Sequence, residues 1–355
     1  MKVTRSIGFI PQDTTITLGD PVFIDIKNPQ TPFTVHGVSD GYRRAPAAVC
    51  EATSDAVKML GSYSTGVRVR FRTDSDYIVL HAKVNDPDGS GVFSGVVRFA
   101  FDMYSRDGGE TKLCGVFVPS QGPDKDYIES RLRVEPKMRD YIIHFPLFCQ
   151  VSEVAIALRE GCELLPPEPY KYTTPVVFYG SSIVNGVGAS HPFNTYPAIV
   201  SDMLDTDYIN LGFSGAARAE EAIMNYISGL KMSVFVYDYD YNAPTPEYLE
   251  KTHYAGYKIF RAAQPTTPVI FASKPDYHHA QVEVNEHRRQ IVIATYKRAL
   301  AEGDENVAFV DGSLMYPAEE RMYATFDGCH PNDYGYLCMA RAFAVPLRKF
   351  IENNR

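Results

Sequence analysis

Two short segments hold the residue types that acyl transfer needs. Pro175-Val-Val-Phe-Tyr-Gly-Ser-Ser-Ile183 reads as a buried strand, Val176 to Tyr179, that breaks at Gly180 and delivers Ser182 to a βα turn, where a hydroxyl can stand in the open. Phe326-Asp-Gly-Cys-His-Pro331 places a carboxylate, Asp327, three residues before an imidazole, His330. Together they supply a nucleophile, a base and a group to orient the base, the minimum set for chemistry through a serine ester. Whether they act depends on the elements that bring them together.

Those elements change character along the chain. Between about residues 30 and 160 the pattern is of strands. Val67-Arg-Val-Arg-Phe-Arg72 alternates apolar and basic residues, and Tyr77–Val84, Val96–Phe101, Lys112–Val118, Tyr141–Phe145 and Val151–Leu158 follow. Turn residues separate several of them, as in Asp86-Pro-Asp-Gly-Ser-Gly91 and Arg106-Asp-Gly-Gly109. Many short strands with turn signals predict a β-sandwich or jelly roll, with the arginines at 68, 70 and 72 on a solvated sheet face. Four prolines within 164–175 disfavour helix and ladder pairing alike and mark a boundary. The expected division is therefore 1–165, a linker at 166–175, and 176–355.

Beyond the linker, apolar strands (Val176–Tyr179, Tyr208–Leu211, Val234–Tyr237, Pro268–Ala272, Val307–Val310) alternate with helical stretches (Tyr196–Leu204, Glu220–Leu230, Pro246–Ala263, Asn285–Glu302, Gly335–Glu352). This alternation predicts right-handed βαβ units and a parallel sheet covered on both faces, hence an α/β fold. Functional residues of such a sheet collect at the carboxyl ends of its strands. Ser182, the stretch Ile209–Gly215, the stretch Phe235–Asn242, and the pair Asp327 and His330 all fall on that rim.

The four rim segments resemble the blocks of the SGNH, or GDSL-type, hydrolases. Gly180-Ser-Ser-Ile183, Gly212-Phe-Ser-Gly215, Asp238-Tyr-Asp-Tyr-Asn242 and Asp327-Gly-Cys-His330 occur in the family's order. The resemblance implies a three-layer α/β/α, flavodoxin-like catalytic domain. It makes Ser182 the nucleophile, His330 the general base and then acid, and Asp327 the partner that fixes the imidazole tautomer. The oxyanion hole would be the Ser182 and Gly215 backbone N–H groups and the Asn242 side-chain amide. Glycine at 215 would let the backbone approach the substrate. Two departures stand out: Ser181 occupies the usual aspartate position, and Asn242 lies in a tyrosine-rich segment, so that Asp238 or Asp240 is a rival for the third block. Both departures are similar to a GDSL-like branch of bacterial two-domain esterases whose N-terminal β-rich module carries a G-x-D-L-Y signature. Phe101-Asp-Met-Tyr-Ser-Arg-Asp-Gly108 looks like that signature, with Ala100 at its glycine position and Met103 for its leucine. The branch implies a serine ester hydrolase, a carboxylic ester hydrolase, that removes a small acyl group, acetyl above all, from a carbohydrate, with no cofactor. Two rivals remain: a lipid-directed acylhydrolase or thioesterase on the same scaffold, and a glycan-binding protein with a vestigial hydrolase domain.

Other features bound the reading. A formal charge of -8 over 355 residues gives no general reason to bind nucleic acid or an anionic membrane, so the expected partner is a small-molecule or oligosaccharide ester. No apolar signal core is seen at the start, which makes a cytoplasmic home the default expectation. The six cysteines lack C-x-x-C spacing and are expected reduced, with Cys329, inside the last block, unexplained. His278, His279 and His287 have no firm ligand partners at metal spacing and read as a surface loop, with no metal site expected. His191 follows Gly186-Val-Gly-Ala-Ser190 in a loop near Ser182, as a substrate contact or as plain loop. Tyr237, Tyr239 and Tyr241 read either as pocket lining or as sheet packing. Gly186-x-Gly188 is no dinucleotide fingerprint. Spacing says nothing of oligomeric state.

Overall fold

The computed structural model describes residues 1–16, 21–86, 94–118, 127–275 and 281–353. The chain forms two compact units. One comprises Met1–Arg44, Ser62–Pro169 and His191–Phe193, and the other Ala45–Gly61, Tyr170–Ser190 and Asn194–Arg355.

The first unit contains strands β1 (Pro21–Asp25), β2 (Thr34–His36), β3 (Arg68–Thr73), β4 (Tyr77–Asn85), β5 (Phe101–Asp107), β6 (Glu110–Phe117), β7 (Tyr127–Arg133), β8 (Arg139–His144), β9 (Gln150–Arg159) and β10 (Leu164–Leu165). One antiparallel sheet runs β1-β9-β4-β7, and a second runs β10-β3-β8-β5-β6 with β2 beside β3. Alternate residues from both, such as Ile24, Leu80, Ile128 and Ile156 against Val69, Phe71, Met103 and Ile143, fill one apolar core, as the period of two requires. This is the expected sandwich, with two local differences. Residues Gly95–Phe99 form a short helix, α3, not the start of a strand, because the Ser94 hydroxyl accepts from the Val97 N–H and caps a turn in which Arg98 is the buried residue. The arginines of β3 are not on a solvated face. Arg68 and Arg70 are buried and donate to the Gly66 and Glu168 carbonyls, while Arg72 pairs with Asp140 and Glu168. The Asp86–Gly91 turn lies largely outside the described residues.

The signature residues of this unit form one cluster. Asp102 is fully buried. It accepts from His144 Nδ1 at 2.7 Å, from His191 Nδ1 at 2.8 Å and from the Phe193 N–H at 2.6 Å. Tyr104 packs on the Phe193 ring, centroids 4.1 Å apart. Thus His191, placed by sequence near Ser182, has its imidazole on Asp102. Burial pushes the Asp102 carboxyl up, but the charges and hydrogen bonds of His144 and His191 outweigh it and hold the group below the usual carboxylate range. Asp102→Ala is expected to lower stability by about 3 kcal/mol, read by urea denaturation, since it leaves three donors unmatched, the His144 imidazole buried and the other two partly so. Because the folded group is depressed, its contribution is full above about pH 4 and is lost as pH falls through the folded value. An unchanged denaturation midpoint at pH 7 would contradict this account.

The second unit holds a five-stranded parallel sheet: β11 (Tyr172–Gly180), β12 (Thr206–Gly212), β13 (Val234–Asp238), β14 (Val269–Ala272) and β15 (Val307–Val310), in the order β12-β11-β13-β14-β15. That order is flavodoxin-like, with a switch point where β11 lies between β12 and β13. The central strands read Val-Phe-Val-Tyr-Asp and Val-Ile-Phe-Ala, buried at every position, as a sheet with two covered faces demands. Helices α4 (Ser182–Asn185), α5 (Tyr196–Leu204), α6 (Glu221–Ser228), α7 (Pro246–Ala263), α8 (Val282–Ala301) and α9 (Asp333–Asn353) connect and follow the strands. Their ends obey local rules: Thr245 caps α7 by accepting from the Tyr248 N–H, with Pro246 at the first helical position. Two further helices, α1 (Ala47–Thr53) and α2 (Asp55–Leu60), belong to this unit although they come early in the chain, and α1 packs against α6. Among the described residues no helix is long and apolar enough to cross a membrane.

Candidate active site

The carboxyl ends of β11, β12 and β13 are level, with Gly180 paired to Gly212 and to Asp238. No side chain fits at the first two: a β-carbon on Gly180 would lie 1.9 Å from the Asp238 carbonyl, and one on Gly212 would lie 2.3 Å from the Asn185 nitrogen. The short helix α4 therefore sits directly on the strand ends. Ser181 is its cap, the hydroxyl accepting from the Ile183 N–H, and Ser182 is its first residue. Asn210 fixes the far end of α4, donating to the Val184 carbonyl at 2.7 Å and accepting from the Gly212 N–H.

His330 arrives from the other end of the chain. Its Nε2 lies 2.9 Å from Ser182 Oγ, and its Nδ1 lies 2.7 Å from Asp327 Oδ2. The other Asp327 oxygen accepts from the backbone N–H groups of Cys329 and His330, so that one carboxylate closes the turn and holds the ring. Burial pushes the Asp327 carboxyl up, yet the His330 backbone and imidazole and the Cys329 N–H pull harder, and the group stays below the ordinary carboxylate range. Helix α9, which begins just after His330, ties this segment to α4. Tyr336 donates to the Val187 and Ile183 carbonyls, and Asp333 accepts from the Ser190 N–H and hydroxyl.

Three donors lie on the rim. The Ser182 and Gly215 N–H groups have no acceptor among the described residues. Gly215 has φ +70°, a left-handed conformation that glycine adopts without cost, and a β-carbon there would meet no protein atom within 4 Å. Among protein atoms, backbone conformation and not crowding is thus what asks for glycine. Asn242 closes the single turn Asp240–Asn242, and its Oδ1 accepts from the Ala217 N–H at 3.2 Å. That bond assigns the amide's oxygen and leaves its NH2 as a free donor. The two rivals of Asn242 point elsewhere: Asp238 accepts from the Tyr196 hydroxyl at 2.9 Å, and Asp240 from the Lys274 N–H at 3.0 Å.

Asp238 makes a stability prediction. Burial, then the charge of Asp240, push its carboxyl up to about 7, against the pull of the Tyr196 hydrogen bond. The folded state keeps this proton while the unfolded chain releases it near pH 4, so stability falls as pH rises between those values. Asp238→Asn keeps an acceptor for Tyr196 and is expected to raise Tm by several degrees at pH 8, the gain vanishing toward pH 4. An equal Tm at pH 8 would count against it.

Of the three tyrosines, Tyr237 and Tyr239 are fully buried and stack with Tyr179 and His253 as sheet packing, whereas Tyr241 is half-buried. His278 and His279 lie outside the described residues. Cys329 has its thiol against the Tyr241 hydroxyl, and burial pushes that thiol up.

Comparison with known proteins can now be set beside this geometry. Residues 173–348 match the GDSL-like Lipase/Acylhydrolase family, and residues 22–164 match the GxDLY family, the N-terminus of Esterase_SGNH_hydro-type proteins. The chain belongs to the SGNH/GDSL-type hydrolases. It is a carboxylic ester hydrolase of that family. No curated protein matches its sequence. Among solved structures it is similar to a protein from Bacteroides ovatus designated a GDSL-like lipase (22% identity, TM-score 0.83, 94% of this chain and 98% of that one). It is also similar to the salicylyl-acyltransferase SsfX3 of a tetracycline biosynthetic pathway (19%, TM-score 0.76, 93% and 97%). A third is the acetyl xylan esterase Est2A from Butyrivibrio proteoclasticus (12%, TM-score 0.59, 93% and 98%). At these identities the SGNH-type hydrolase shares their fold.

Proposed function

We propose that this hydrolase removes a small acyl group, acetyl first of all, from a carbohydrate through an acyl-enzyme on Ser182. One observation carries the mechanism: the continuous relay Ser182 Oγ, His330 Nε2, His330 Nδ1, Asp327 Oδ2, in steps of 2.9 and 2.7 Å, beside donors that lack acceptors among the described residues. His330 takes the Ser182 proton as Oγ bonds to the ester carbon. The carbonyl electrons move to oxygen, where the Ser182 and Gly215 N–H groups and the Asn242 NH2 meet the charge. The carbon–oxygen bond to the sugar breaks, His330 returns the proton to that alcohol, and water reverses the sequence to free the acid. Asp327 stays ionised throughout, holding the proton on Nδ1 so that Nε2 is the base. The substrate class is supported by likeness to the acetyl xylan esterase. The test is acetate release from a panel of acetylated oligosaccharides, with Ser182→Ala as blank, alongside p-nitrophenyl esters of increasing chain length. Release from glycans and a fall in kcat/KM beyond the shortest chains are expected. A rise with chain length and no release from any glycan would instead favour the lipid-directed reading.

A further inference from the structure

Asn242 is the donor whose placement is least explained by its own element. It ends a one-turn 3-10 segment, and its own N–H closes that turn on the Tyr239 carbonyl at 2.9 Å. A side-chain amide must be held within a fraction of an ångström to act on a developing oxyanion; the Ala217 N–H holds its oxygen, and the Asp240–Tyr241 backbone that carries it must be fixed from elsewhere. Four contacts from outside converge on the same three residues. Arg288, from α8, is 7% exposed and donates Nη1 to the Asp240 carbonyl at 2.7 Å. Lys274, just beyond β14, is 5% exposed. Its N–H donates to the Asp240 carboxylate at 3.0 Å, and its Nζ lies 4.6 Å from the centre of the Tyr241 ring. The Tyr241 hydroxyl meets the Cys329 thiol, one residue before His330.

The backbone beneath Lys274 is itself closely packed. A β-carbon on Gly312 would lie 2.0 Å from the Lys274 carbonyl, and the Gly312 N–H donates to Ser273 Oγ. Burial pushes the Asp240 carboxyl up, and the charges of Arg288 and Lys274 pull it back down. Two buried cations are thus directed at the one carboxylate of this turn.

We propose that Arg288 and Lys274 are positioning residues for the Asn242 amide. Arg288 fixes the plane of the Asp240–Tyr241 peptide, Lys274 fixes the Asp240 side chain and the Tyr241 ring, and the Tyr241–Cys329 contact joins this turn to the His330 segment. The clamp acts only through Asn242, so this inference rests on the role given to Asn242 above. It also gives Cys329 a place: its thiol closes the clamp on the side of the last block.

A double-mutant cycle tests it, using p-nitrophenyl acetate and the full chain. Asn242→Ala is expected to lower kcat about a hundredfold with KM little changed. Arg288→Met should lower kcat roughly ten- to a hundredfold, again with KM little changed, and Arg288→Lys should recover part of the loss. In the Asn242→Ala background, Arg288→Met should cost less than about twofold, because the amide it positions is gone. The full Arg288→Met loss in that background, or none in the wild-type background, would overturn the proposal. If Asn242→Ala leaves kcat unchanged, the donor role falls and this inference with it. Should Arg288→Met not fold, Lys274→Met completes the same cycle, and an additive result there overturns it equally.

Discussion

Ser182→Ala should lose p-nitrophenyl acetate turnover by about 10⁵- to 10⁶-fold, and with it all labelling by a fluorophosphonate probe. The side chain makes one hydrogen bond, to His330, and stands on a helix whose cap belongs to its neighbour, so melting should shift little. What survives is the background that oriented donors give without a nucleophile. Ser181→Ala is the matched control. Its hydroxyl caps α4, so its loss should cost about 1 kcal/mol of stability while labelling persists. If the Ser182 variant kept turnover within tenfold of wild type, the nucleophile would have to be sought elsewhere.

Asp327→Asn should be the second largest loss, about 10³- to 10⁴-fold in kcat. The two carboxylate oxygens have separate partners. Oδ1 serves the Cys329 and His330 N–H groups, and Oδ2 serves the imidazole. An asparagine that keeps the turn must put its oxygen on the backbone donors, which aims its NH2 at Nδ1. Nδ1 then becomes the acceptor, the ring proton moves to Nε2, and Nε2 can no longer take the Ser182 proton. The fold should survive and KM should hold. A loss below tenfold would mean that the ring is oriented by something other than this carboxylate.

The legible parts of the fold were those where one physical rule governs a whole element. The five buried runs became the parallel strands because a sheet with two covered faces needs continuous apolar residues, and Tyr196–Leu204 and Pro246–Ala263 appear with the bounds their periodicity and caps predict. Val96–Phe101 failed because five apolar residues in six suit a strand equally well, and the deciding signal was a serine cap at 94. The β3 arginines misled because alternation shows two faces without showing that both are covered. At the site, Ser182, Asp327 and His330 could be picked out from order along the chain. Nothing local marked Asn210, Asp333, Tyr336, Lys274 or Arg288, whose partners are far away in sequence or are backbone carbonyls that any residue could offer.

The membership of the two units bears on how the protein can be taken apart. A cut at the proline-rich stretch would give a fragment holding Ser182, Gly215, Asn242, Asp327 and His330, yet lacking helices α1 and α2 of their own unit. The same fragment would carry off His191 and Phe193, leaving the other piece with a buried Asp102 stripped of two of its donors. The chain is threaded like a seam, passing between the units more than once. A single protease nick or gene truncation would therefore yield two damaged halves, and an active minimal enzyme would have to be built by splicing 45–61 back onto the later sequence.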